Sequence, residues 1–322
     1  MSGEGKPLQR KLALAARSLK HAVSGQRLRH LTIEVTKRCN ARCEFCDYWR
    51  EPRGEELADY APIVRHFDPL VVTLSGGEPL LRQDLDEVIR RIRAADPQGY
   101  LALVTNGALL TEERAARLRD AGLDQLSISY DYADERHDRA RGIPGLGAKI
   151  RGILPALAAV GFDTVSLNTV MKNDNLDDIP AILDLAVRAG VRVGFSAYCA
   201  LKTGDERLLV AGENREKLRA AIARIKEAKA HHRITRTSEY YLDRVEEYFA
   251  GRAIPGCQAG ISWIQVTPGG AVKPCSELPV VAEDYRSYDP RRAAPVACAS
   301  CWYSCRGESQ APLDLRRLRD LW

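Results

Sequence analysis

Three cysteines, Cys39, Cys43 and Cys46, fall directly after an apolar run in the stretch LTIEVTKRCNARCEFCDYW. Thiols packed this closely have few uses other than holding a metal, and iron–sulfur clusters are bound by cysteine thiolates. A cubane held by three protein thiolates leaves one iron open, and an open iron can bind a small molecule through an amine and a carboxylate. Zinc is the rival reading. Structural zinc takes four ligands, commonly from CxxC pairs, whereas this stretch supplies three at unequal spacing with no nearby histidine, so zinc needs a distant fourth ligand. Inert buried thiols are the third reading.

Composition bears on which reading holds. The chain has nine cysteines, no run of 18 or more apolar residues and no hydrophobic signal core at its N-terminus. A cytoplasmic protein is expected, with reduced thiols available for metal rather than committed to disulfides. A length of 322 residues with 45% hydrophobic and 28% charged side chains can bury a large core, and points to one large domain plus a small one. The net charge of +5 is too modest for a dedicated nucleic-acid binder, and leaves small anionic substrates open.

Along the chain, residues 6–24 have helical periodicity, with Leu8, Leu12, Ala15, Ala16, Leu19 and Val23 on one face and Lys6, Arg10, Lys11, Arg17 and Lys20 elsewhere. This basic amphipathic helix is expected to bury its apolar stripe across one end of the fold; association with an anionic membrane surface or with an acidic partner is the alternative. From residue 30 onward, strands are expected at 30–36, 70–74, 100–105, 125–130, 164–170 and 191–198. Helices are expected between and after them near 55–67, 84–95, 111–121, 146–160, 175–189 and 213–230, several ending at glycines such as Gly122, Gly161 and Gly190. Six successive βα units require a parallel sheet with right-handed crossovers. Six is short of the eight that close a barrel, so the expected fold is α/β, an open (β/α)6 partial TIM-like barrel with ligands at the C-terminal strand ends. The expected division is an N-terminal helix over 1–27, the barrel over 28–205, a helical linker over 206–250 and a small cysteine-rich module over 251–322.

The Cys-x3-Cys-x2-Cys loop after a predicted strand, Phe45 before its last cysteine, and Gly76-Gly77-Glu78-Pro79 after the next strand together resemble the radical SAM superfamily, from about residue 28 to 205. The resemblance implies a [4Fe–4S] cluster on Cys39, Cys43 and Cys46 that chelates S-adenosylmethionine, cleaves it reductively to a 5′-deoxyadenosyl radical, and so abstracts a substrate hydrogen. Gly76 and Gly77 lack Cβ and would let backbone approach the cofactor's methionine end; Glu78 offers a carboxylate to its amine and Pro79 stiffens the turn. Thr105 and Asn106 look like the third strand end. Ser127, Ser129 and Asp131 fall where the fourth strand contacts the sulfonium and ribose, although Ser129-Tyr130-Asp131-Tyr132 replaces the more usual leucine–aspartate–glycine ending. Arg141 is placed to reach a carboxylate, and Asn168 to reach the ribose or carboxylate of the cofactor.

The last 70 residues hold Cys257, Cys275, Cys298, Cys301 and Cys305. This arrangement resembles the SPASM and shortened twitch modules of radical SAM enzymes, which bind auxiliary [4Fe–4S] clusters. Five thiols suffice for one cluster; Cys257, Cys275, Cys298 and Cys301 are the first choice, with Cys305 competing with Cys298 or Cys301. Zinc is again the rival, since such a set includes a CxxC pair. An auxiliary cluster would either accept an electron from a substrate radical or anchor the substrate. Cys199, near the sixth strand end, belongs to neither group; it packs in the core, or returns a hydrogen atom to a substrate radical as epimerases of this superfamily do. The partners implied are a reductant such as flavodoxin or ferredoxin and a small-molecule substrate (a sugar or aminocyclitol), a lipid or a peptide. The roughly 28 residues before the first strand are too few for a winged-helix leader-binding domain. The reading from another class, a non-catalytic electron-transfer or metal-binding protein, leaves the strand-end GGEP and TNG unexplained.

Overall fold

Alternation along the strands sorts side chains into two environments, and the whole architecture follows from that sorting. A computed structural model describes residues 5–235 and 237–312, with side chains from Ala13 onward except Ala22. The side chains of Lys6, Leu8, Arg10, Lys11 and Leu12 in the expected N-terminal helix lie outside that description, as do residues 1–4 and 313–322. Six strands, β1 (His30–Thr36), β2 (Val71–Gly76), β3 (Tyr100–Thr105), β4 (Gln125–Ser129), β5 (Thr164–Met171) and β6 (Arg192–Ala197), pair in parallel in chain order. Preceding them is α1 (Gly5–Ser24); the connections and the segment after β6 carry α2 (Ala61–Phe67), α3 (Leu85–Ala95), α4 (Glu112–Asp120), α5 (Arg136–Arg141), α6 (Leu146–Ala159), α7 (Ile179–Ala189) and α8 (Asn214–His232). The expected α/β fold with a parallel sheet is what the chain forms.

The sheet continues past the six expected strands. β7 (Trp263–Val266) pairs in parallel with the free side of β1, and β8 (Val272–Lys273) pairs antiparallel with β7, giving the order β6-β5-β4-β3-β2-β1-β7-β8. The cysteine-rich C-terminal segment is therefore built onto the barrel sheet, and Ile264, Val266, Val272 and Trp302 belong to the same apolar core as β1. Two further helices, α9 (Glu239–Phe249) and α10 (Ser304–Gln310), complete that side.

One face of the sheet carries Leu31, Ile33, Leu74, Leu103, Leu126, Leu167, Val193 and Ile264, all at most 1% exposed. The register puts polar residues together on the other, inner face: Thr32 beside Thr73 and Gln265, Ser127 beside Ser166, Ser129 beside Asn168. These groups bond one another, as in Ser127 Oγ to Ser166 Oγ (3.0 Å), Gln125 Nε2 to Ser127 Oγ (2.8 Å) and His30 Nε2 to Thr73 Oγ1 (2.9 Å). An apolar outer and polar inner face is the pattern of a sheet that packs helices on one side and receives a polar ligand on the other.

The N-terminal helix corrects the expectation about its buried face. α1 does lie across one end of the fold, but it is held there by its polar side. Arg17 Nη1 lies 2.8 Å from both carboxylate oxygens of Asp96, Arg17 also pairs with Asp68, and His21 Nε2 is 3.1 Å from Asp68 Oδ2. Asp68 and Asp96 directly follow α2 and α3, at the end where β2 and β3 begin, opposite the cysteine loop. The described part of the expected apolar stripe, Ala15, Ala16, Leu19 and Val23, faces water instead, with Leu19 68% and Val23 84% exposed. Periodicity located the stripe; the carboxylates of Asp68 and Asp96, partly buried with Arg17 and His21, decided which side faces the protein.

Candidate functional site

The loop after β1 and the turn after β2 are locked together through backbone. Gly77 N–H donates to the Thr36 carbonyl (2.8 Å) and Glu78 N–H to the Arg38 carbonyl (2.7 Å). Gly76 has φ +133°, and a Cβ on it would sit 2.2 Å from Thr36 O; a Cβ on Gly77 would sit 2.2 Å from Arg38 O. The two glycines thus allow the cysteine loop's own backbone to approach. Glu78 is likewise turned inward. It is 1% exposed, and its carboxylate accepts from Thr105 Oγ1 (2.6 Å), Asn106 N–H (2.7 Å) and Leu80 N–H (3.0 Å). Burial raises its pKa, with those bonds opposing. Its observed work is to tie β2 to the end of β3. Pro79 is buried at the start of a short 3-10 turn, and Asn106 Nδ2 reaches Asn40 Oδ1 in the cysteine loop (2.8 Å).

Cys39, Cys43 and Cys46 are half-buried on that loop. Burial pushes the Cys39 thiol up to about 11, Ala41 N–H opposes, and Cys43, Glu78 and Cys46 raise it further. Burial also raises Cys46, with Cys43 adding and Lys202 and Arg141 opposing. The thiols therefore stand near enough to repel as thiolates, and need a compensating positive centre before all can ionise. Arg141 supplies part of the positive field: it is 7% exposed, with Nη1 3.8 Å from Cys43 Sγ and its guanidinium 4.8 Å from the Phe45 ring centroid. Lys172, fully buried, lies 4.7 Å from the same ring and 4.2 Å from the Tyr132 ring, and pairs with Glu44 at 2.8 Å. Phe45 is thus flanked by two cations, and Lys172, Tyr132 and Glu44 join the site without having been singled out from the sequence. Lys172 immediately follows β5, the position where barrel ligands gather, and that was the available signal.

Asp131 is the partner of Arg141. Fully buried, it accepts from Arg141 Nη2 (2.6 Å) and Nε (2.8 Å) through Oδ2 and from Val170 N–H (2.9 Å) through Oδ1. Burial works to raise its pKa, but Arg141, Lys172 and His137 outweigh it and the net shift is downward. Ser127 is enclosed by its bonds to Gln125 and Ser166, deep on the inner face, while Ser129 and Asn168 stand side by side nearer the rim.

The five C-terminal thiols converge. Cys257, Cys275, Cys298, Cys301 and Cys305 line one cavity of about 220 Å³, together with Thr32 and Gln265 from the inner face of the sheet. Since a water's share of the liquid is about 30 Å³, the space suits a multi-atom group. Burial pushes Cys301 up to about 12 and raises Cys257, Cys275 and Cys305 as well. Buried Arg306 braces the wall through the Cys301 carbonyl (2.6 Å). Cys199 does not stand apart: it is 3% exposed, and its Sγ donates to the carbonyl of Ser300, the residue before Cys301 (3.4 Å). The C-terminal segment covers the end of β6, so this thiol is enclosed beside the second group instead of exposed at a strand end. Tyr48 links the two regions, with the Lys37 and Lys202 ammoniums 4.5 and 4.1 Å from its ring and its hydroxyl 3.4 Å from Gln265 Nε2; Lys202 in turn lies 3.4 Å from Glu277 of the cavity wall.

The donors at both sites are thiols, the ligand type that iron–sulfur clusters take. Tetrahedral zinc with bonds near 2.3 Å brings its sulfurs to about 3.8 Å from one another, and among the described residues no three His, Cys, Asp or Glu side chains close on one ion. A cubane takes each thiolate on a different iron and spreads them wider.

Residues 33–186 match the family described as the radical SAM superfamily. The chain is similar to an AdoMet-dependent heme synthase of Methanosarcina barkeri, 31% identical over 285 residues, covering 80% of this chain and 79% of the relative. It is similar to a PqqA peptide cyclase of Granulibacter bethesdensis, 26% identical over 319 residues, covering 87% of this chain and 83% of the relative. In fold it is similar to Streptococcus suis SuiB, solved bound to the precursor peptide SuiA, with TM-score 0.64 and 16% identity over 88% of this chain and 68% of that one.

Proposed function

We propose a reaction from one premise: the chain belongs to the radical SAM superfamily, and is an enzyme that uses a [4Fe–4S] cluster and S-adenosylmethionine. When bound and reduced, that cluster supplies the electron that splits S-adenosylmethionine into methionine and a 5′-deoxyadenosyl radical. Cys39, Cys43 and Cys46 would hold it. The Gly76–Pro79 turn holds their loop in place, Arg141 and Lys172 would offset thiolate charge around Phe45, and Ser129 and Asn168, side by side at the inner rim, would orient the cofactor.

The finer proposal is that the radical abstracts hydrogen from a polar substrate, a peptide, lying on the inner face, while a second [4Fe–4S] cluster takes part in oxidation or substrate binding. The observation that carries it is the cavity lined by all five C-terminal thiols and open to Thr32 and Gln265 on that face. Cys257, Cys275, Cys298 and Cys301 remain the first choice of ligands, with Cys305 the competitor. The polar lining and the likeness to a peptide cyclase over most of its length support the peptide. The higher identity to a heme synthase favours a second reading, a tetrapyrrole-derived acid. We further propose the four-part division at residues 27, 205 and 250, a cytoplasmic setting, and a flavodoxin- or ferredoxin-type donor.

Anaerobic reconstitution tests this. Two cubanes give about eight irons per chain, and dithionite with S-adenosylmethionine should yield 5′-deoxyadenosine. About four irons would remove the second cluster. Undiminished cleavage after alanine replaces Cys39, Cys43 and Cys46 would defeat the first assignment. Deuterium passing from a labelled peptide into 5′-deoxyadenosine would establish the substrate class; transfer only from a tetrapyrrole acid would replace it.

A further inference from the structure

We propose that α1 is an interfacial helix that seats this enzyme on an anionic lipid surface. Leu19 and Val23 are the two most exposed large apolar side chains among the described residues, at 68% and 84%, and Ala15 and Ala16 beside them are exposed as well. Leu8 and Leu12 continue the same spacing in the sequence. The opposite side of the helix is already committed to protein through Arg17 and His21, which bind Asp68 and Asp96. α1 therefore cannot turn its apolar stripe inward without giving up a partly buried ion-pair network.

Charge selects the occupant. Apart from Arg17, which is paired with Asp68 and Asp96, Gly5–Ser24 contains Lys6, Arg10, Lys11 and Lys20 and no acidic residue. A second copy would bring two such cationic helices together, so self-association is disfavoured. A protein partner needs roughly 800 Å² of shape-matched surface per side, more than one narrow convex stripe with alanines at its middle offers. A bilayer needs no matched shape. It takes a shallow apolar stripe flanked by lysines, with anionic headgroups attracting the cations. No helix among the described residues is long and apolar enough to cross a membrane, so the contact is one of lying on the surface.

The test uses the full chain, reconstituted anaerobically, in flotation with vesicles of phosphatidylcholine alone and of phosphatidylcholine with phosphatidylglycerol. The expected result is binding to the anionic vesicles, weakened by high salt and little seen on the neutral ones. Leu19→Glu with Val23→Glu should cut partitioning on the order of 100-fold, and Lys20→Glu about fivefold or more. Leu19→Ala with Val23→Ala, which leaves the ion pairs untouched, should cut it about tenfold or more and covers the case in which the glutamates disturb folding. Iron content and S-adenosylmethionine cleavage should be unchanged in the alanine variant, which separates this proposal from the catalytic one. Equal binding by wild type and the alanine variant would overturn it, as would no binding to anionic vesicles. Light scattering that shows a dimer lost with Leu19 and Val23 would hand the stripe to a second copy.

Discussion

Gly77 is the residue where sequence identity and geometry meet most tightly. An alanine there would place its methyl 2.2 Å from the Arg38 carbonyl, and relief requires the cysteine loop to move. Displacement of a site by about 1 Å can cost on the order of 100-fold in rate, so Gly77→Ala should lower 5′-deoxyadenosine formation by that order, together with iron retention at the first site. Cleavage at the wild-type rate would show the loop is not held by this turn. His137 makes a second residue-scale prediction. It is fully enclosed, its Nδ1 accepts from Asp131 N–H (3.2 Å), and burial lowers its pKa to about 4, with Asp131 opposing. The folded chain keeps this ring neutral while the unfolded chain protonates it near 6.5. Its contribution is thus complete above about pH 6.5 and lost as pH falls toward 4, a change on the order of 3 kcal/mol. Denaturant midpoints across that window should fall more steeply for the native chain than for His137→Gln. The cysteines and glycines were legible because their chemistry or lack of side chain is local; the inward turn of Glu78 was not, since two of its three donors, Thr105 and Asn106, come from the end of another strand.

Among the elements, α9 and α10 explain how the C-terminal thiols are held. Trp302 stacks on Tyr241 with ring centroids 5.6 Å apart and planes at 5°; its indole N–H donates to the Tyr241 carbonyl and the Tyr241 hydroxyl donates back to the Trp302 carbonyl, both at 3.0 Å. Trp302→Ala should cost about 3–5 kcal/mol, read by chemical denaturation, and should expose Cys301 and Cys305 to alkylating reagent in the native chain. Thiols that stay protected would mean another contact holds the segment. The six parallel strands were legible from apolar runs and helix-ending glycines. β7 was hidden: Trp263–Val266 is four residues long, and its partner β1 lies more than 200 residues earlier.

For the whole molecule, the two thiol sets come from different parts of one continuous sheet and should be separable. Cys257→Ser with Cys275→Ser should lower iron from about eight to about four per chain while uncoupled cleavage of S-adenosylmethionine persists. Loss of both together would mean that the second site is needed to build the first. The apolar outer face and polar inner face bear on substrate at the same scale, since a sheet whose inner groups are hydroxyls and amides gives little to a purely apolar ligand.

Periodicity and spacing, which act within a few residues, by themselves determined the succession of the six parallel strands and the helices between them, and marked the cysteine-rich loops as candidate metal sites. Only the tertiary structure decided that α1 turns its apolar stripe outward, that Lys172 and Arg141 flank Phe45, that β7 extends the sheet, and that Cys199 lies beside Cys301. Those outcomes rest on ion pairs, strand registers and buried contacts between residues tens to hundreds of positions apart. No local pattern carries that pairing, because it is settled by which burials and charge partners the folded chain can satisfy together.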